Sequence, residues 1–283
     1  MTANELVAKA TDLRIASQAA LQLVSLLDRP DASNEDVVRI LKFDNVLTAK
    51  LLRVCNSSAF GFSEAVSSVD QAVLLLGHQQ ILQIVLTLEF SATMVVPLAG
   101  YAVEAKELWH HSLATASAAE LLAKGGLDVD IDSAVAFTAG LLHDMGKLVM
   151  NQALTDELQT EIRDRINNQQ ISRVEAERAV LGTDHAETGA ALLESWKLPA
   201  EIVEAVKNHH CPVITPRPRL SAIIHVADVV AHLAGSAPGW EAFALTVDPR
   251  VADQFEISAD RLQTLVLDVR ETFDHVDEMM NMA

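Results

Sequence analysis

Apolar positions along the chain recur at the three- and four-residue spacing of amphipathic helices, and polar clusters mark where each helix should begin and end. The pattern predicts a helix over residues 4–27, stopped by the Arg-Pro pair at 29–30. A second helix should follow the capping sequence at 33–36, and a third should run through 47–56. The sequence contains no alternating strand pattern of useful length, so the predicted fold class is all-α.

The most apolar stretch of the sequence, residues 72–90, is predicted to form two helices. Gly77 should close the first helix, and the second should run through 79–93. His78, Gln79, Gln80 and Gln83 interrupt the apolar run. The stretch is therefore predicted to be part of a helical core and not a membrane span.

Composition agrees with a helical protein that has a substantial core. The chain has 283 residues, of which 50% are hydrophobic and only 4% aromatic. The formal net charge of -18 argues against binding to nucleic acid or to anionic lipid, because an acidic protein would not neutralise the negative charges of either surface. The two cysteines, Cys55 and Cys211, match no metal or redox spacing. The first ten residues lack a signal-peptide pattern, and a cytoplasmic location is expected.

The candidate chemistry is concentrated in a stretch at residues 139–148, where His143 and Asp144 stand side by side among apolar residues. The spacing of those apolar residues predicts a buried helix that carries both side chains into the core. An ionised aspartate in such surroundings is costly unless a partner compensates for its lost hydration, and a divalent cation is a common partner. The alternative is a structural histidine beside an aspartate that accepts backbone hydrogen bonds.

Further histidines and acids occur in other predicted helices. Glu107 and His111 are four residues apart and share a helix face. His185 opens another helix, His209-His210 end the next one, and Asp228 lies in an apolar helix. A lone histidine on an apolar face is more often structural than a ligand. Taken together, these residues predict a metal centre, and the His and carboxylate ligands without thiolate suit Fe, Mn, Zn or a similar ion.

The first third of the chain resembles the N-terminal half of the HDOD family. The matching stretches are 43–53, 55–61 and 72–77. One departure is Asp44-Asn45, where that family usually has aspartate followed by proline. The resemblance implies an HDOD or HD-domain-like multi-helix bundle. We divide it into an N-terminal helical subdomain (1–100), an HD-like metal-binding core (101–235) and a C-terminal helical tail (236–283).

The order His, His-Asp, His, His-His, Asp resembles the HD superfamily of metal-dependent phosphohydrolases, and most of all its HD-GYP branch. The resemblance implies that the protein binds two or three divalent metal ions. The metal ligands that it implies are His111, His143, Asp144, His185, His209, His210 and Asp228, with Glu107 as an additional carboxylate ligand. It also implies that Lys147 contacts substrate phosphate, although an ordinary surface lysine is the alternative. The Gly-Tyr-Pro loop of HD-GYP enzymes is absent from the sequence after His210, so cleavage of a cyclic dinucleotide is not predicted.

Two functions are compatible with these observations. The first is a metal-dependent phosphohydrolase in signal transduction, in which Asp144 bridges two ions and Lys147, Arg217 and Arg219 neutralise a small phosphorylated substrate or nucleotide. Exposed arginines are, however, more often merely solvated. The second is a non-catalytic signalling or scaffold module that binds a regulatory protein or a nucleotide. The protein is also a candidate homodimer, and the C-terminal tail is one segment that could form the dimer interface.

Overall fold

The computed structural model describes residues 1–10, 17–29, 31–57, 60–62, 64–125, 131–212, 215, 219–236 and 246–281. Helices account for 74% of the chain. The described residues contain no strand and only one isolated antiparallel bridge, between Leu98 and Val103. The predicted all-α fold class is therefore confirmed.

The helices are numbered in chain order. They are α1 Ala3–Lys9, α2 Gln18–Ser25, α3 Asn34–Lys42, α4 Asn45–Cys55, α5 Val69–Met94, α6 Glu107–Lys124, α7 Ser133–Leu142, α8 Met145–Ala153, α9 Asp156–Gln169, α10 Arg173–Leu181, α11 His185–Ser195, α12 Ala200–Lys207, α13 Leu220–Leu233, α14 Pro249–Gln254 and α15 Ala259–Asn281. A short 3-10 turn at Leu26–Asp28 lies between α2 and α3, and another at Ala99–Tyr101 lies between α5 and α6.

Side-chain caps fix where many of these helices begin. Ser33 and Ser172 each form a reciprocal capping box with the acid three residues later, at the starts of α3 and α10. Asp184 accepts a hydrogen bond from the backbone N of Glu187 at 2.8 Å and caps α11. Because α11 begins at His185, this cap sets the position of one candidate ligand.

The helix predicted over residues 139–148 is wrong as a single element. The helix α7 ends at Leu142, His143 and Asp144 form a turn, and α8 begins at Met145. The apolar spacing continued across the turn because this part of the chain is buried on every side, so burial there does not depend on one helical face.

The N-terminal helix predicted over residues 4–27 is also wrong as a single element. The structure has α1 and α2 there, separated by residues 11–16, which lie outside the described part.

The predicted division of the apolar stretch at Gly77 is confirmed, because this residue has φ 79° and ψ 159° within α5. The 23 residues Val69–Ser91 are long and apolar enough to cross a membrane, with mean hydropathy 1.4. Half of this apolar stretch is buried inside the protein, and the helix is kinked at Gly77. Both features are typical of a helix in a protein core.

Two glycines let neighbouring helices approach closely. A Cβ added at Gly140 of α7 would lie 2.8 Å from the Cα of Ala116 on α6. A Cβ added at Gly146 of α8 would lie 1.8 Å from the carbonyl oxygen of His185 on α11. Since these glycines lie on either side of the turn at 143–144, they place that turn between α6 and α11.

The buried apolar side chains form one continuous cluster that includes residues from α1 through α15. The helix α1 packs against α8 and α11, and α15 packs against α6 and α13. The first and last helices therefore both contact the part of the chain predicted to hold the metal. The three-part division at residues 100 and 235 stays a prediction.

Candidate metal centre

The structure brings eight buried or partly buried side chains from five segments to one place. They come from α6, from the turn between α7 and α8, from the start of α11, from the turn after α12, and from α13. His111, His143, His185 and His209 are 0% exposed, and Asp144 is 1% exposed. His210 is partly exposed. Residues more than a hundred positions apart therefore meet in the interior.

The ligand atoms fall into four overlapping groups, within each of which they lie no more than 4.8 Å apart. The groups are His185-His209-His210, His111-Asp228-His232, His111-His143-Asp144 and His143-His209-Asp228. Neighbouring ligand atoms about 2.1 Å from a common ion lie roughly 3.0 to 3.4 Å from one another. The 3.1 Å between Nε2 of His111 and Oδ1 of Asp228 and the 3.4 Å between Nε2 of His143 and Oδ2 of Asp144 fall within this range.

Asp144 lies between two sets of histidines. Its Oδ1 is 3.6 Å from Nε2 of His185 and 4.0 Å from Nε2 of His209. Its Oδ2 is 3.4 Å from Nε2 of His143 and 3.7 Å from Nε2 of His111. Each oxygen of this single carboxylate thus faces a different pair of imidazoles, which is the arrangement of a carboxylate that can bridge two cations.

Backbone carbonyls fix the orientation of three of these histidines. Nδ1 of His143 lies 2.8 Å from the oxygen of Gly140, and Nδ1 of His209 lies 2.6 Å from the oxygen of Val206. Nδ1 of His111 lies 2.8 Å from the oxygen of Ser236. A carbonyl oxygen can only accept, so each Nδ1 carries the proton and each Nε2 presents a lone pair to the centre.

The polar atoms in the centre lack partners of the right kind. Nε2 of His111 is 3.2 Å from Nε2 of His143, so two lone pairs face each other. Nε2 of His209 and Oδ1 of Asp144 are buried without a hydrogen-bond partner, as is Oδ1 of Asp228. Unpaired buried acceptors are expensive. A divalent cation accepts electron pairs from both atom types, so the residues present fit such a group.

Burial and charge hold His209 and Asp144 in the protonation states that cation ligands require. Burial, together with the nearby His143, lowers the pKa of His209 to about 3. Burial raises the pKa of Asp144, but Lys147 and the surrounding imidazoles outweigh this effect and hold that pKa well below its usual value. At neutral pH this histidine is therefore neutral and this aspartate is ionised, as cation ligands must be.

Sequence reasoning missed His232, although a signal was present. His232 lies four residues after Asp228 on α13, so both side chains share a helix face. Its Nδ1 is 3.1 Å from Oδ1 of Asp228 and 2.9 Å from the carbonyl oxygen of the same residue. Its Nδ1–H donates to the carbonyl oxygen and lies against the carboxylate, and Nε2 of His111 is 3.1 Å from the same Oδ1.

Sequence reasoning also missed Glu177, for which the sequence offers no signal. Glu177 is 0% exposed on α10, and its Oε2 lies 2.7 Å from Nδ1 of His185. The surrounding stretch of α10 is rich in charged residues and has the composition of a solvated helix. The contact between Glu177 and the candidate centre depends entirely on tertiary packing.

The structure separates three predicted site residues from the four groups or leaves them undescribed. Oε2 of Glu107 accepts a hydrogen bond from the backbone N of Glu104 at 2.7 Å, and Glu107 belongs to none of the groups. Arg219 pairs with Glu204 at 2.8 Å on the surface. Arg217 lies outside the described residues.

Lys147 is not the surface lysine that was considered as an alternative. It is 2% exposed, and its Nζ lies 2.8 Å from Oδ2 of Asp144. The lysine therefore lies within the centre and supplies a positive charge to the carboxylate that faces both sets of histidines.

Comparison with known proteins identifies the family. A sequence profile of the HDOD domain matches residues 13–212. The chain belongs to the HDOD domain family. The match confirms the resemblance to the HDOD family that the sequence showed, and it covers the chain through the double histidine. An uncharacterised protein of Treponema pallidum (strain Nichols) is 27% identical over 223 residues, which are 77% of this HDOD chain and 42% of the relative. The chain thus spans less than half the length of that relative.

Solved structures share the HDOD fold. An HDOD domain protein of unknown function from Geobacter sulfurreducens has a TM-score of 0.71 at 23% identity, covering 98% of this chain and 96% of that one. A protein of Shewanella amazonensis SB2B, provisionally named a phosphohydrolase, has a TM-score of 0.70 at 24% identity and coverages of 98% and 97%. A protein of Marinobacter aquaeolei VT8, provisionally named for signal transduction, has a TM-score of 0.74 at 21% identity, with 98% of this chain and 64% of that one covered. At these identities the likeness shows the fold alone.

Proposed function

We propose that this HDOD protein is a metal-dependent phosphohydrolase that acts on a nucleotide or a related phosphoester in signal transduction. The observation that carries the proposal is Asp144, a buried carboxylate whose two oxygens face different pairs of imidazoles and whose Oδ1 has no hydrogen-bond partner. In a protein interior, that arrangement is costly unless cations share the carboxylate. The name of the Shewanella amazonensis protein supports the same reaction class.

The charge of the centre indicates an anionic substrate. Asp144 and Asp228 contribute two negative charges, and Lys147 contributes one positive charge. Two divalent cations would turn this single net negative charge into three positive ones. A phosphoester carries negative charge on several oxygens and matches such a site, whereas a neutral substrate does not.

The residues divide by what they hold. His111, His143 and Asp228 would hold one cation, and His185, His209 and His210 would hold the other. Asp144 would contact both. Divalent cations at these positions would polarise the phosphoryl group and lower the pKa of a water molecule towards neutrality. We assign Asp144 and Lys147 as catalytic candidates, because the ammonium group of Lys147 moderates the charge of the shared carboxylate inside the centre.

The decisive experiment combines metal analysis with a phosphodiesterase assay. The protein is purified without chelator, its Mn, Fe and Zn contents are measured, and bis(p-nitrophenyl) phosphate is offered as a generic substrate. We expect bound metal and turnover in the wild type, and loss of both in His143→Ala and Asp144→Asn. His78→Ala is the matched control, because His78 lies on α5 outside the four groups. A metal-free wild type with stable, unchanged variants would refute the proposal.

A second candidate function is a non-catalytic signalling module, and the burial of the ligands favours it. Of the predicted ligands that lie in the four groups, six are at most 2% exposed, and only His210 is partly exposed. A cluster so enclosed would serve as a structural metal site in a module that binds a regulatory protein or a nucleotide. Bound metal without turnover across a panel of phosphoesters would support this function. The cytoplasmic location and the homodimer stay predictions.

A further inference from the structure

A second buried cluster lies directly behind His185 and outside the ligand set. Glu177 of α10 accepts four hydrogen bonds there, two on each carboxylate oxygen. Oε2 accepts from the backbone N of His185 at 2.9 Å and from its Nδ1 at 2.7 Å. Oε1 accepts from the hydroxyl of Tyr101 at 2.8 Å and from Nε of Arg173 at 3.0 Å. Four donors from three residues therefore aim at one carboxylate.

The cluster is rigid as well as buried. Arg173 is 8% exposed, and its guanidinium carbon lies 3.8 Å from the centre of the Tyr101 ring. The same guanidinium donates to the carbonyl oxygen of Gly100 at 2.8 Å. Tyr101 is 4% exposed. These contacts fix the Glu177 carboxylate from the side opposite to His185, so its position does not depend on the imidazole alone.

The contact with His185 differs from those of the other histidines. His111, His143 and His209 direct Nδ1 at neutral carbonyl oxygens, whereas His185 directs Nδ1 at an ionised carboxylate. A carboxylate on the far nitrogen fixes the imidazole tautomer and makes the near nitrogen a stronger electron-pair donor. Nε2 of His185 is the atom that faces Asp144 and His210.

We infer that Glu177 is a positioning residue that fixes and strengthens His185 as a cation ligand, with Tyr101 and Arg173 holding the carboxylate in place. The inference rests on the proposed metal centre. It assigns a specific effect: loss of Glu177 weakens the position formed by His185, His209 and His210 and leaves the position formed by His111 and Asp228 occupied. A purely structural role would affect both positions alike.

The test is a titration of the cation-free, 283-residue chain with Mn²⁺, in which the electron paramagnetic resonance signal of free Mn²⁺ reports each binding step. We expect two bound ions in the wild type. In Glu177→Gln one step should weaken about 10- to 100-fold while the other is retained. Glu187→Gln is the matched control, because Glu187 lies on the same helix as His185 and accepts from Thr183 instead. It should titrate like the wild type.

Two further measurements keep the test decisive. Tyr101→Phe removes one donor to Glu177 and keeps the ring, so it should weaken the same step by a smaller factor even if Glu177→Gln fails to fold. In the proton spectrum, the far-downfield Nδ1–H resonance expected for a His185–carboxylate contact should vanish in Glu177→Gln and persist in Glu187→Gln. A wild type that binds no Mn²⁺ overturns this inference together with the metal centre. A wild type that binds two ions, with folded variants that bind them equally well, overturns the inference alone.

Discussion

Gly146→Ala tests whether the close contact between α8 and α11 determines the geometry of the centre. The added Cβ would lie 1.8 Å from the carbonyl oxygen of His185 and 2.6 Å from the backbone N of Gly189. Both atoms belong to the backbone, so no side-chain rotation relieves the overlap. An ordinary contact between carbon and carbonyl oxygen is about 3.3 Å, so the two helices must separate by roughly 1.5 Å.

The cost follows from two opposing effects. Overpacking a buried contact destabilises proteins by about 1–3 kcal/mol, and more where the backbone must move. Alanine is favoured over glycine inside a helix by about 1 kcal/mol, which offsets part of this cost. We expect a net loss of about 2 kcal/mol in the free energy of unfolding and a fall of roughly 3 to 4 °C in Tm.

The effect on cation binding should be larger than the effect on stability. The same movement displaces Asp144, two residues before Gly146, from His185. Distances between a metal ion and its ligand atoms vary by only about 0.2 Å, so a shift of roughly 1 Å in Asp144 should weaken Mn²⁺ binding more than tenfold. Urea unfolding measures the stability, and titration with Mn²⁺ measures the affinity.

Gly189→Ala is the control, since it adds the same atom to the same helix crossing. Its Cβ would lie 3.0 Å from the backbone N of Gly146 and 3.4 Å from a methyl group of Val206. This contact is tight but does not overlap, so the loss should stay within about 1 kcal/mol. If Gly146→Ala matched Gly189→Ala in both stability and affinity, the crossing would not control the site.

Three other changes probe the centre in different ways. His232→Leu removes the donor to Asp228, so Mn²⁺ should bind about tenfold more weakly in the same titration, and an unchanged affinity would contradict that role. Arg173→Met leaves the buried charge of Glu177 without its cation, so urea unfolding should show a loss of about 3–5 kcal/mol; a loss below about 1 kcal/mol would show that the pair is unimportant. Removal of metal with EDTA should lower the Tm measured by calorimetry, because a ligand at a hundred times its Kd stabilises by about 2.7 kcal/mol. Readdition of Mn²⁺ should restore the Tm in the wild type but not in Asp144→Asn, and equal recovery would argue against the shared carboxylate.

Local sequence signals predicted the parts of the fold that local chemistry determines. The cap at Ser33 and the break at Gly77 both depend on a residue and its immediate neighbours, and the structure has both features. The turn at His143-Asp144 could not be predicted in this way. Leu142 and Met145 on either side of it are both 0% exposed, so their spacing looked like one continuous helical face.

The candidate site shows the same limit. The histidines and acids that meet in the four groups could be recognised by their residue types in apolar surroundings. Glu177 could not, because its burial depends on Tyr101, which is 76 positions away, and on Arg173, one turn before it on a helix of solvated composition. His232 was within reach of helical spacing, since only the four-residue separation from Asp228 was needed to place it.

At the ends of α7 and α12, a single hydrogen bond both caps the helix and orients a candidate metal ligand. The last carbonyls of a helix have no partner within it. His143 lies just beyond α7 and takes up the carbonyl of Gly140, three residues back, and His209 does the same with Val206 beyond α12. Each histidine thus caps its helix through Nδ1, and this contact leaves Nε2 directed at the centre. A cation held there lies near the negative ends of both helix dipoles, which adds to its stability. The positions of the ligands therefore follow from where the helices stop, and Gly140 and Gly146 determine how closely those helices meet.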